Sequence, residues 1–311
     1  MKSLVFVETK NLTREEWLKY RRKGICGSDV SCLLGINKFK SELELWQEKT
    51  NQIPLETKDN KYMEWGRIIE PIIRNHFSNV TGKDVVEIKA ILQHPENRFM
   101  LANVDGIVIN DNEEPALLEI KTTSEYKRND WSDGVPIYYQ TQVQHYLMVT
   151  GLSKAYVAVL IGGNTFQIHE VYADAEVQAM LLAVEQEFWN KVQNMIRPNI
   201  DGSDAAKIYL DNLYTGGLKE ELLLPTDAIE FVDEYLQACA DEEVIKAKKQ
   251  EATNHLKEYL KDHEQAICGN HKITWKSVTT ERFDSKKFKE EHPDIYQQYV
   301  KQSCSRRFNV K

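Results

Sequence analysis

Between Val85 and Ala173 the chain carries four stretches rich in apolar and β-branched residues, "VVEIKAIL", "FMLANVDGIVI", "ALLEIKTT" and "KAYVAVLIGGNTFQIHEVYA", interrupted once by "VPIYYQTQVQHYLMVTG". Runs of this length and composition suit pleated strands, whereas the interruption has the length and texture of a helix ended by Gly151. Strands must pair and the helix must cover a face. The pattern therefore predicts a mixed sheet with helices on its faces. Asp, Asn and Pro at 110–115 mark a hairpin turn, and Gly162, Gly163 and Asn164 mark a second.

Helices are expected on either side of this region. Thr13 with Glu16 reads as a capping box opening a helix over 13–22, and Ser41 with Glu44 repeats it. A loop runs through Gly24 to Gly27, after which Ser28 is placed to cap a short helix to Leu34. Residues 61–80 have helical apolar spacing in Trp65, Ile68, Ile69, Ile72, Ile73 and Phe77, with Pro71 expected to kink the helix or open a new first turn. Residues 174–196 return to helix. The expected fold class is α/β (α+β), a mixed central sheet flanked by helices over 1–200. Pro198, Gly202 and Ser203 then read as a linker to a mostly helical C-terminal extension, 201–311. In it, 226–264 form one long helix or a helical hairpin, followed by a strand or hairpin and short helices.

Length and composition limit the function classes. A chain of 311 residues buries a substantial core as one large or two smaller domains. With 41% hydrophobic and 28% charged residues it has the balance of a soluble globular protein, and no apolar run reaches the roughly 18 residues of a membrane span. The start "MKSLVFVETK" lacks the pattern of a secretory signal, so a cytoplasmic protein is expected. Cys26, Cys32, Cys239, Cys268 and Cys304 are scattered, with no C-x-x-C, and read as free thiols rather than zinc or iron–sulfur ligands. The net charge of −8 argues against coating nucleic acid through a general positive field, and leaves room for a local basic groove. No G-x-x-x-x-G-K-[ST] occurs, which removes a P-loop ATPase.

The strand "ALLEIKTT" breaks its apolar run with Glu119 and Lys121, which alternation puts on one face. A hairpin centred at Asn112 places Asp105 opposite Glu119, with Cβ atoms about 5 Å apart. Two carboxylates so close repel unless a cation lies between them, and hard oxygen ligands suit Mg²⁺ or Mn²⁺. Lys121 beside such an ion would orient or deprotonate a water. The plain alternative is a solvent-facing pair of carboxylates with Lys121 in a surface ion pair worth at most about 1 kcal/mol.

Five segments, "WLKYRRKGICGSDVSCLLGINKFKSELELWQEKT", "MEWGRIIEPIIRNHF", "LANVDGIVI", "LLEIKTT" and "YYQTQVQHYLMVTG", follow in an order and spacing that resemble the YqaJ family of phage-type recombination nucleases, relatives of lambda exonuclease in the PD-(D/E)xK superfamily. The resemblance covers about residues 13–196. It implies a restriction-endonuclease-like core with Asp105 and Glu119 as metal ligands, the Ile120 carbonyl completing the shell, Lys121 as catalytic lysine and Glu70 as an upstream acid supporting a metal or its water. Gln142 matches the glutamine of a helical Q-x-x-x-Y motif, with Tyr146 on the same face. Val104-Asp105 stands where the family usually has Pro-Asp. Arg21 and Ser28 match positions that hold a 5′-phosphate of DNA. Read without the resemblance, Glu70 is a helix-surface acid, Gln142 and Tyr146 an amphipathic boundary, Arg21 an exposed helix residue and Ser28 a cap. Trp131, Tyr138 and Tyr139 either stack on frayed bases or belong to the core.

The resemblance further implies a Mg²⁺-dependent deoxyribonuclease, with Mn²⁺ substituting. It would be a 5′→3′ exonuclease on duplex DNA ends using water activated by the metal. A homo-oligomer, a trimeric ring in the relatives' manner, and a single-strand annealing protein as partner are also implied. The alternatives are an endonuclease with the same metal site and an inactive DNA-binding protein on the same fold.

Overall fold

The computed structural model describes residues 3–55, 61–109, 114–301 and 306–310. The chain divides into two compact units, 1–213 and 214–311. The boundary expected at 200 thus falls after Leu213. A helix over Asp204–Leu213 belongs with the first unit because Ala205 and Ala206 are buried.

The first unit opens with β1 (Leu4–Glu8), α1 (Arg14–Arg21), β2 (Ile25–Cys26), α2 (Gly27–Leu33), α3 (Glu42–Lys49) and α4 (Lys61–Thr81). The strands β3 (Val85–Val86), β4 (Ala90–Gln93), β5 (Met100–Ala102), β6 (Gly106–Val108) and β7 (Ala116–Thr123) follow. A 3-10 helix (Glu125–Trp131), α5 (Ile137–Thr150), β8 (Lys154–Ile161), β9 (Thr165–Tyr172), α6 (Ala175–Gln193) and α7 (Asp204–Leu213) complete it. Thr13 caps α1 in the reciprocal box with Glu16. Ser41 caps α3 by accepting the Glu44 N–H. Gly151 closes α5 in the left-handed conformation, φ 66°. The helix α4 runs through Pro71, which opens no new helix.

The strands do not form one sheet. β1, β4, β5 and β2 make a four-stranded sheet, and β3, β6, β7, β8 and β9, in that order, a five-stranded one. Strand β1, which the sequence pattern did not single out, pairs antiparallel with β4. The stretch "FMLANVDGIVI" is divided at Asn103–Asp105, where the chain leaves the first sheet for the second. In the larger sheet β6 pairs antiparallel with β7, β7 parallel with β8 across the α5 crossover, and β8 antiparallel with β9. Gly106 faces Leu118 and Val108 faces Ala116, the register of a hairpin centred at 112, although residues 110–113 lie outside the described residues.

Alternation on β7 sorts its side chains between two cores. Leu117 packs with Val143 and Leu147 of α5, whereas Leu118 and Ile120 pack with Ile73 and Phe77 of α4. Each fully buried aliphatic side chain contributes about 1.5–3 kcal/mol relative to exposure. This places Glu119 and Lys121 toward α5.

The second unit, taken by itself, holds α8 (Ala228–Leu260), a hairpin of β10 (Gln265–Cys268) and β11 (His271–Thr274), α9 (Ser285–Glu291) and α10 (Pro293–Tyr299). The stretch 226–264 is thus one long helix rather than a helical hairpin. Leu260 is the one buried hydrophobic residue of this unit among the described residues.

Candidate active site

Asp105 sits where the chain crosses between sheets, so its neighbours cannot satisfy a continuous ladder. Its Oδ2 instead accepts the Ile120 N–H at 2.7 Å, which ties the crossing to β7. Extending the β6–β7 register by one residue sets Asp105 against Glu119. Glu119 is 2% exposed: it does not lie on a solvent face. Its Oε1 accepts from Lys121 Nζ at 2.6 Å and from Gln142 Nε2 at 2.7 Å, and its buried Oε2 has no hydrogen-bond partner. Lys121 Nζ also donates to Gln142 Oε1 at 3.1 Å and lies 4.6 Å from the centre of the Tyr139 ring. Gln142 is buried, and its Nε2 reaches the Tyr146 hydroxyl at 3.2 Å.

Electrostatics mark the cluster as unbalanced. Burial, and then the charge of Asp105, push the Glu119 carboxyl above the usual carboxylate range against the pull of Lys121. Burial also raises Asp105, against Lys121 and the Ile120 N–H. Glu70, on α4 across the sheet, is raised by burial and by Asp105, while its partner Arg74 opposes the rise. Lys121 loses hydration on burial, yet Glu119 and Asp105 hold it more firmly protonated than a free lysine. Among the described residues no three His, Cys, Asp or Glu side chains close into a ready-made metal cage. The donor chemistry nevertheless fits a hard divalent cation: carboxylates that raise one another, and a buried oxygen of Glu119 left without a partner.

Arg21 and Ser28 form a second group. Arg21 donates to Ser28 Oγ at 2.7 Å, and its guanidinium lies 4.6 Å from the Trp17 ring centre. Ser28 does not cap α2. Cys26 occupies that position and gives its N–H to Asp29 Oδ2 at 2.9 Å, which leaves the Ser28 hydroxyl outside the cap. Buried Lys49, unmarked in the sequence, donates to Asp29 at 2.7 Å and to the Arg21 carbonyl at 3.0 Å, stapling the end of α1 to the start of α2. Gly27 joins the two groups, because a Cβ there would lie 2.5 Å from the Tyr146 ring and 3.0 Å from Gln142. Trp131 is 2% exposed and belongs to the core, whereas Tyr138 and Tyr139 are half-buried. A cavity of about 610 Å³ lined by Gln140, Gln144, His169 and Tyr172 contains none of these site residues.

Fold and site together define a class of protein: a mixed sheet that brings two carboxylates and a lysine together, with Glu119 and Lys121 bonded to Gln142 of one helix, an arrangement suited to metal-assisted hydrolysis. Comparison narrows the class. The model of the YqaJ-like viral recombinase domain matches residues 16–153. The chain is 41% identical over 312 residues to the uncharacterized protein YqaJ of Bacillus subtilis (strain 168), covering 99% of this chain and 97% of that protein. This chain therefore belongs to the YqaJ-like viral recombinase domain family. Among solved structures, an alkaline exonuclease from Laribacter hongkongensis aligns with TM-score 0.47 and 22% identity over 62% of this chain and 99% of its own. A phage-related exonuclease from Haemophilus somnus 129PT aligns with TM-score 0.38 and 13% identity over 58% and 99%.

Proposed function

We propose that this chain is a metal-dependent deoxyribonuclease, a 5′→3′ exonuclease that resects duplex DNA ends for phage-type recombination. The observation that carries the reading is Glu119, a buried carboxylate with one oxygen held by Lys121 and Gln142 and the other without a partner. Asp105, Glu119, the Ile120 carbonyl and Glu70 would hold Mg²⁺, with Mn²⁺ as a substitute. When bound, the cation would supply Lewis-acid polarisation of the scissile phosphate and of the attacking water.

The remaining work falls to side chains. Lys121, an ammonium held beside Glu119 and Gln142, offsets through its charge the negative charge that develops on the attacked phosphate. Gln142 fixes both Glu119 and Lys121 through its two amide atoms. Arg21 and Ser28 would receive the terminal 5′-phosphate through charge-assisted hydrogen bonds. Tyr146, against Gly27 and bonded to Gln142, sets the spacing between that anchor and the carboxylates. An anchored 5′-phosphate supplies the polarity. The partners proposed with this reading are DNA ends, further copies of the chain in a trimeric ring, and a single-strand annealing protein, in the cytoplasm.

The test uses the full chain with Mg²⁺ on closed circular duplex and on linear duplex with 5′-phosphate or 5′-hydroxyl ends. Linear DNA alone should be degraded, and phosphorylated ends faster. Arg21→Ala should shrink that difference, whereas Glu119→Ala should stop both reactions. Cleavage of closed circles would favour the endonuclease, absence of any cleavage an inactive DNA-binding protein, and equal rates on the two ends would remove the anchor.

A further inference from the structure

We infer that Tyr139 is a positioning residue for Lys121: its ring face takes up the third N–H direction of the ammonium and so sets where the lysine points. The inference rests on the hydrolytic reading of Asp105, Glu119 and Lys121 for its kinetic consequence, and on geometry for the contact itself.

An ammonium carries three N–H donors. Two from Lys121 reach oxygens, Glu119 Oε1 at 2.6 Å and Gln142 Oε1 at 3.1 Å. The nitrogen also lies 4.6 Å from the Tyr139 ring centre, inside the range of about 6 Å in which a ring quadrupole attracts a cation. A strand fixes only the direction of the Lys121 Cβ. The four-carbon stem beyond it is flexible, so the position of the charge must come from contacts. Tyr139 and Gln142 lie three residues apart on α5 and so share a face, presenting ring and amide side by side.

The ring is itself held in place. Tyr138 meets it edge-on at 4.4 Å, and the buried Trp131 ring lies 5.7 Å away. A rigid core residue thus supports Tyr139, and Tyr139 supports the lysine. Removing the ring would leave Lys121 tethered by two bonds to groups that also serve each other, and free to swing about that axis. The contact uses the ring face, so phenylalanine should replace tyrosine.

The test compares the full chain with Tyr139→Leu, Tyr139→Met and Tyr139→Phe. The first readout is acetylation of Lys121 by acetic anhydride, followed by peptide mass spectrometry against exposed Lys10, without metal or DNA. The second is kcat and KM on linear 5′-phosphorylated duplex with Mg²⁺. Leu and Met should speed labelling of Lys121 several-fold and lower kcat about thirtyfold, the size of a desolvated cation–π contact, with KM unchanged. Phe should match the wild type in both. Met keeps apolar bulk, which separates loss of the ring from loss of packing should Leu lower the melting temperature. Unchanged labelling in Leu and Met, or a Phe variant as impaired as Leu, would overturn the inference. If labelling shifts as stated while the wild type cleaves no DNA, the contact stands and the nuclease reading falls.

Discussion

Glu119 concentrates the electrostatic tension of this site. It is buried, crowded by Asp105 and Glu70, and only partly relieved by Lys121. Replacing it with Gln keeps an acceptor for Lys121 and Gln142 while removing one negative charge. The metal-free protein should therefore gain stability, about 1 kcal/mol or roughly 2–4 °C for a unit of this size. A cation that binds only the folded state stabilises it by mass action, so Ca²⁺ should raise the melting temperature of the wild type and not that of Glu119→Gln. Calorimetric scans with and without CaCl₂ check both halves. A wild type indifferent to Ca²⁺ and Mg²⁺ would remove the metal assignment. The pair Glu119 and Lys121 was legible in the sequence because alternation alone puts residues two apart on one face. Lys49 was not, nor was the contact of Tyr139 with Lys121, since a buried lysine looks locally like any helix surface residue and nothing in the local pattern pairs a helix tyrosine with a strand lysine.

At the scale of elements, the helix caps were readable because Thr13 with Glu16 and Ser41 with Glu44 act over three residues. The division into two sheets was not. "FMLANVDGIVI" is apolar on both sides of Asn103, and what ends β5 is its choice of partner strand, which no local pattern records. The tie that holds these layers together is similarly hidden. His145 on α5 is fully buried, with Nδ1 2.8 Å from Glu185 Oε1 on α6 and Nε2 2.9 Å from the Leu101 carbonyl on β5, residues 40 and 44 positions away. With Glu185 ionised both partners are acceptors, and the ring then donates from both nitrogens and carries a charge. Burial opposes that charge, but Glu185 and the Leu101 carbonyl outweigh it and raise the His145 pKa. A raised folded value means the contribution is complete below the unfolded value of about 6.5 and fades as pH climbs through the folded one. Urea unfolding should therefore show lower stability at pH 9 than at pH 6. Glu119 and Glu70 add a loss of the same sign, so the His145 share is the part that His145→Gln removes and Glu119→Gln leaves. His145→Gln should itself cost about 3–5 kcal/mol, the usual penalty for breaking a buried pair. A pH dependence unchanged by His145→Gln would refute the charged imidazole.

At the scale of the whole molecule, the first unit contains every residue proposed for the site and nearly all of the buried hydrophobic side chains. The composition shift near 200 made a boundary legible, but the linker signal of Pro198, Gly202 and Ser203 precedes a helix that still packs with what came before. Residues Ala205 and Ala206 of α7 are 1% exposed, and α7 lies against α3. A chain ending at Leu213 should fold with a melting temperature within a few degrees of the full protein, whereas one ending at Ile200 should lose stability through the uncovered face of α3. The second unit, taken alone, has Leu260 as its one buried hydrophobic residue among those described, and Leu218, Leu222, Leu223 and Phe231 are 91%, 81%, 95% and 72% exposed. A chain of this length that buries so little apolar surface cannot offset its conformational entropy. Residues 214–311 expressed alone should therefore show helical circular dichroism from α8 but no cooperative melt, and acquire one only with a partner that covers these side chains. A sharp, reversible transition of the isolated segment would show that it is an independent domain, and aggregation of the chain ending at Leu213 would show that the first unit depends on it.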